Sequence, residues 1–118
     1  MPDKEYNYCK IYVNGLLFED LQNLMVDVFG GGFEVRTMYL DGYSIDVRNN
    51  PSAVSENVDQ FVEWPLLVEF DADDGYADEA AVQTVTDILN KLWESGLQAV
   101  ASCDFEDELP WSGGIDRL

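Results

Sequence analysis

Residues 61–105 read FVEWPLLVEFDADDGYADEAAVQTVTDILNKLWESGLQAVASCDF, and their periodicity decides the fold. In Phe61–Ala72, entered at Pro65, Leu66, Val68 and Phe70 alternate with Leu67, Glu69 and Asp71. That two-residue period is a strand with distinct faces. In Asp78–Ser95, Ala81, Val85, Ile88, Leu89 and Leu92 form one apolar stripe at helical spacing, and Gly96 stands where a C-terminal cap belongs. Gln98–Phe105 then reads as a strand. The stretch is a strand–helix–strand unit.

A similar unit precedes it. Tyr8–Val13 alternates, with Cys9, Ile11 and Val13 on one side, and Leu17, Leu21, Leu24, Met25 and Val28 recur as a helix. Gly30-Gly31-Gly32 stops that helix. Asp41-Gly42 between Phe33–Leu40 and Tyr43–Arg48 is a strong hairpin signal, and a two-residue loop pairs Leu40 with Tyr43 and Met38 with Ile45. Asn49–Gln60 has turn chemistry and reads as a surface loop. The order β-α-β-β-β-α-β predicts one α+β domain over 1–118. Its expected architecture is a ferredoxin-like sandwich, with both helices on one face of a mainly antiparallel sheet.

Charge narrows the function. The chain carries 24 acidic and 6 basic residues, a formal charge of −18. That disfavours nucleic acid and anionic membrane as partners, while 47% apolar and 13% aromatic residues suffice for a core. Residues 1–59 hold 10 acids and 4 bases, and residues 60–118 hold 14 and 2, so the acidity concentrates in the second half. No apolar run reaches the ~18 residues of a membrane span. Met1–Asn7 is polar and does not read as a secretory signal, so the expected setting is a reducing cytoplasm. There is no histidine, which removes the usual general base and the commonest metal ligand. The expectation is a chain with no catalytic residues, no cofactor and no metal.

Four constellations remain. Gly30-Gly31-Gly32 follows a helix and lacks a following Lys-Ser/Thr, so it is a helix stop and not a phosphate loop. Asp71, Asp73, Asp74, Asp78 and Glu79 are dense in acid, but an EF-hand register fails at Gly75, Tyr76 and Val82. These acids are expected to cap the following helix and complement its dipole, with looser cation binding as the alternative. Cys9 and Cys103 lie on the core-facing parity of the first and last strands, which are commonly neighbours in a ferredoxin-like sheet. Packed, reduced thiols are expected, with a disulfide or redox pair as the alternative.

The fourth group is Asp104, Glu106, Asp107 and Glu108, four acids in five residues, followed by Leu109, Pro110 and Trp111. Trp93 follows the helical stripe and Trp64 marks a strand entrance, whereas Trp111 sits in an acidic, exposed setting. On a rigid strand end such like charges repel, at up to about 1 kcal/mol per pair, and a cationic partner would relieve the repulsion. Carboxylates rimmed by an aromatic have the composition of a protein-binding surface. Asp104, Glu106, Asp107, Glu108 and Trp111 are therefore the candidate partner-binding residues.

Trp64–Phe70, the helix after it and Ala101–Trp111 (ASCDFEDELPW) resemble small acidic bacterial proteins, some of them similar to immunity proteins of polymorphic toxin systems. The resemblance covers the second half and implies binding of a basic toxin domain, without assigning a residue. The reading that follows is an acidic cytoplasmic module for a basic protein partner. A non-catalytic structural or regulatory domain, or a carboxylate-based ligand or metal binder, is the alternative. A strand edge would also serve for a homodimer.

Overall fold

The structure, a computed structural model, describes residues 4–53 and 60–118. β1 (Tyr8–Asn14) leads into α1 (Phe18–Phe29), then β2 (Thr37–Leu40), β3 (Tyr43–Asn49) and β4 (Leu66–Ala72). α2 (Asp78–Glu94) and β5 (Gln98–Ser102) follow. The strands form one sheet in the order β2-β3-β4-β1-β5, with every neighbouring pair antiparallel. The protein is an α+β fold.

Strand alternation places Cys9, Ile11, Val13, Ile45, Val47, Val68 and Phe70 on one face, all fully buried. Leu21 and Met25 of α1 and Val85, Ile88, Leu89 and Leu92 of α2 pack in that same core. Both amphipathic stripes are thus spent on one side of the sheet. The Asp41-Gly42 hairpin has the expected register, with Leu40 opposite Tyr43 and Met38 opposite Ile45. Gly30 ends α1 in the left-handed conformation (φ 77°), its N–H bonded to the Val26 carbonyl, as its helix-stop reading requires.

Several expectations are corrected. The strand Phe33–Leu40 is shortened to Thr37–Leu40, because Glu34–Thr37 forms a tight turn with Val35 at φ 57°. Gln22 Nε2 donates to the Val35 carbonyl at 2.8 Å and holds that turn on α1. Phe61–Glu63 is a 3₁₀ turn, not strand, although β4 does begin directly after Pro65. The loop Asn49–Gln60 falls partly on residues 54–59, outside the described residues. Its first residues are anchored, since buried Asn50 donates to the Val62 and Trp64 carbonyls at 2.9 and 2.7 Å.

That anchor explains Trp64, which is 1% exposed and lies outside the main core cluster. On the helix-free face, Tyr12 pairs with Leu67 and Val100 in register, and its ring meets Phe61, which meets Trp64. A small second apolar cluster therefore covers part of the outer face. Beyond it that face is polar. Glu69 lies between Asp46 and Lys10, pairs with Arg48 at 3.1 Å and accepts the Tyr8 hydroxyl.

The Gln98–Phe105 strand is likewise shorter than expected, ending at Ser102. Past it the chain turns through a 3₁₀ segment at Glu106–Glu108 and a kinked one at Pro110–Arg117. Phe105 and Leu109 are buried, at 0% and 4% exposure, and fasten this segment to the core.

Candidate functional site

The acidic segment after β5 is built on two apolar anchors. Phe105 enters the core and stacks on Tyr6, with ring centroids 5.2 Å apart and planes 19° from parallel. Burying Phe105 and Leu109 turns the intervening residues outward, so Glu106, Asp107 and Glu108 are all exposed. The N-terminal strand approach then meets them. Lys4 Nζ donates to Asp107 Oδ1 and Oδ2 at 2.8 and 3.0 Å and to Glu108 Oε2 at 3.1 Å.

These contacts change the electrostatic expectation. The Tyr6 hydroxyl also donates to Glu108, the Glu5 N–H to Asp104 at 3.0 Å, and the Cys103 N–H to Glu106 at 3.2 Å. Each of the four carboxylates therefore has a donor within the chain. The Lys4 ammonium holds the Asp107 carboxyl below its ordinary pKa. The Tyr6 hydroxyl, then Lys4, does the same for Glu108. Lys4 is raised in turn, by Asp107 first and Glu108 second. Repulsion along the run is thus relieved in part by folding itself, through a lysine about a hundred residues upstream that sequence spacing does not connect to it.

Trp111 is placed differently. It is 56% exposed, and its backbone is left-handed at φ 57° and ψ 32°, followed by Ser112, Gly113 and Gly114 also at positive φ. A left-handed turn costs non-glycine residues about 1–2 kcal/mol each. The two glycines explain how it is held: both are buried. A Cβ on Gly113 would come within 3.1 Å of the Ala101 carbonyl, and one on Gly114 would run into the Ala99 carbonyl. The turn therefore lies flat along β5, covers that sheet edge, and pushes the Trp111 ring outward. Arg117 packs over Trp93 (4.6 Å to the ring centroid) and Trp111 (5.6 Å), as a guanidinium over indole faces. The Ser112-Gly113-Gly114 run was the readable signal for such a turn.

The other acidic group follows the C-terminal end of β4, at the same end of the sheet, because β1 runs antiparallel to both β4 and β5. Asp73, Asp74 and Asp78, with Glu5, Tyr6 and Tyr76, line an open cleft of about 250 Å³. Among the described residues no three acidic or cysteine side chains converge as metal ligands. Asp78 and Glu79 sit in the first turn of α2, where they complement its dipole, but Ala77 occupies the cap position and no side chain bonds there. The capping expectation is corrected accordingly. On the outer sheet face, Asp71 is raised from its ordinary pKa by partial burial, then by Asp46 and Glu69.

The cysteines are brought together. Cys9 is fully buried, whereas Cys103 is half-buried and packs against the core's margin. The expectation that both thiols are packed in the core is corrected for Cys103, which stands only at the core's margin. No described helix is long and apolar enough to cross a membrane. Compared with known proteins, the chain matches no family model, no curated protein and no solved structure.

Proposed function

We propose that this protein is a non-catalytic, acidic binding module that meets a basic protein partner in the cytoplasm, in the manner of an immunity protein neutralising a toxin. The observation that carries this reading is Trp111. A large aromatic is held in solvent on a strained left-handed turn, beside Asp104–Glu108, in a chain with formal charge −18. Strain kept at an exposed aromatic contributes nothing to burial and is a common signature of a functional surface. The acids would steer a cationic partner toward that anchor. We also propose that the fold is a ferredoxin-like sandwich. It is supported by the order β3-β4-β1-β5, which two strand–helix crossovers leave when the edge strand β2 is set aside.

The test isolates the partner by affinity capture and then follows binding kinetics across salt. Combined Asp104→Asn, Glu106→Gln and Asp107→Asn changes should slow association about tenfold or more at low salt and much less at high salt. Trp111→Ala should leave folding intact and raise the dissociation rate, costing about 2 kcal/mol of affinity. Unchanged kinetics in both variants would move the surface elsewhere.

A further inference from the structure

We propose that Cys103 and Cys9 form a reversible, peroxide-oxidised pair, in which Cys103 is the attacking sulfur and Cys9 closes the disulfide. The pairing is a matter of register. Lys10 lies opposite Ser102 and Ile11 opposite Ala101 in the antiparallel β1–β5 ladder. Lys10–Ser102 is the last pair of that ladder, and the next residues on the two strands are Cys9 and Cys103. Directly opposed residues in such a ladder have Cα atoms about 4.5–5.5 Å apart, within the window of roughly 4.4–6.8 Å that a disulfide spans.

The two thiols lie close enough for each to shift the other, Cys9 upward and Cys103 downward. The Cys9 thiol also has the Lys10 carbonyl as an acceptor at 3.9 Å. Their surroundings divide the roles. Cys9 is sealed in the core at 0% exposure, while Cys103 reaches the surface at the start of the acidic segment. The Cys9 thiol and the Phe105 backbone N–H pull the Cys103 thiol below its ordinary pKa, against burial and the neighbouring Glu106 and Asp104 carboxylates. Cys9 is pushed well up, first by Cys103 and then by burial. One sulfur is the more accessible and the more readily ionised, and the other is protected in the core, the division that peroxide-sensing pairs need.

The chemistry balances with hydrogen peroxide as oxidant. The Cys103 thiolate attacks one peroxide oxygen, the O–O bond breaks, and one proton is taken up as water leaves, giving a sulfenic acid. The Cys9 sulfur then attacks the Cys103 sulfur, the S–O bond breaks, and the Cys9 proton leaves with the hydroxyl as a second water. Peroxide is reduced, and the two thiols are oxidised to one disulfide. A dithiol reductant reverses the step by exchange. The Glu106 and Asp104 carboxylates lie beside Cys103, so a small neutral oxidant is favoured over an anionic disulfide. The inference does not depend on the partner reading.

Native wild-type protein should be titrated with hydrogen peroxide and followed by intact mass and by thiol counting in denaturant. The expected result is a monomer lighter by two hydrogens, with both thiols lost together, a Cys9–Cys103 peptide link on mapping, and full recovery with dithiothreitol. Cys9→Ala should stop at Cys103 sulfenic acid, captured by dimedone. Cys103→Ser should leave Cys9 at least tenfold slower to oxidise than Cys103 is in Cys9→Ala. The wild-type measurement stands even if a variant fails to fold. Oxidation of Cys103 to sulfinic acid with Cys9 still titratable, disulfides only between molecules, or two unreacted thiols would each overturn the proposal.

Discussion

Lys4 and Asp107 are 103 positions apart in the chain and 2.8 Å apart in the fold. The contact is possible because β1 lies between β4 and β5, so the residues entering β1 emerge beside those leaving β5. It ties the N-terminal approach to the acidic segment that ends in Trp111.

Breaking this clasp should give a stability change confined to a pH window. Asp107 and Glu108 are depressed in the folded state, so their contribution is present above the ordinary carboxylate pKa of about 4. It is lost as pH falls through the lower folded values. Lys4 is raised, so its contribution is present below the ordinary lysine pKa of about 10.4 and is lost as pH rises through the folded value. Thermal melts of Lys4→Met against wild type should show a constant deficit between about pH 5 and 9 that closes toward pH 2. Added salt should shrink it, because every partner is exposed.

Gly114→Ala should be among the most damaging single changes in the chain. It combines φ 107° with a Cβ directed into the Ala99 carbonyl. A loss of at least about 2 kcal/mol is expected in denaturant unfolding. Gly32→Ala meets nothing within 4 Å and has no positive φ, so it should stay within about 0.5 kcal/mol of wild type.

Asp71→Asn should stabilise. The folded carboxyl is raised by partial burial and by Asp46 and Glu69, so the folded state binds the extra proton. Stability therefore falls as pH rises through the window above the ordinary value, and the ionised form is unfavourable at pH 7. The residue is solvent-facing, which limits the gain to a few tenths of a kcal/mol. The gain should diminish below pH 4 and in high salt, as read from paired melts.

Trp64→Ala should cost about 3–5 kcal/mol, because the side chain is 1% exposed in the cluster with Phe61. Trp111→Ala should cost little, since that ring is more than half exposed. Urea unfolding of the two variants distinguishes a tryptophan that holds the fold from one presented to solvent.

What was legible in the sequence was whatever short-range spacing encodes. The 2.0 and 3.6 periods marked five strands and two helices, Asp41-Gly42 marked the hairpin register, and Gly30 marked the end of α1. Each depends on residues a few positions apart, whose backbone preferences and apolar faces act locally. Strand ends were less legible: Val35 and Phe61 are good strand residues, but Gln22 and Asn50 bind the backbone around them into turns, and tertiary hydrogen bonds outweigh weak propensity.

The clasp of Lys4 on Asp107, the approach of Cys9 and Cys103 and the laying of Gly113 and Gly114 along β5 were decided only by the tertiary structure. All three depend on which strands become neighbours. That choice is made by burying two helical stripes on one sheet face at once, a non-local sum of contacts that no window of the sequence contains. The charge of the acidic segment could be counted from the sequence. Which of its members Lys4 and Tyr6 hold could be decided only in the fold.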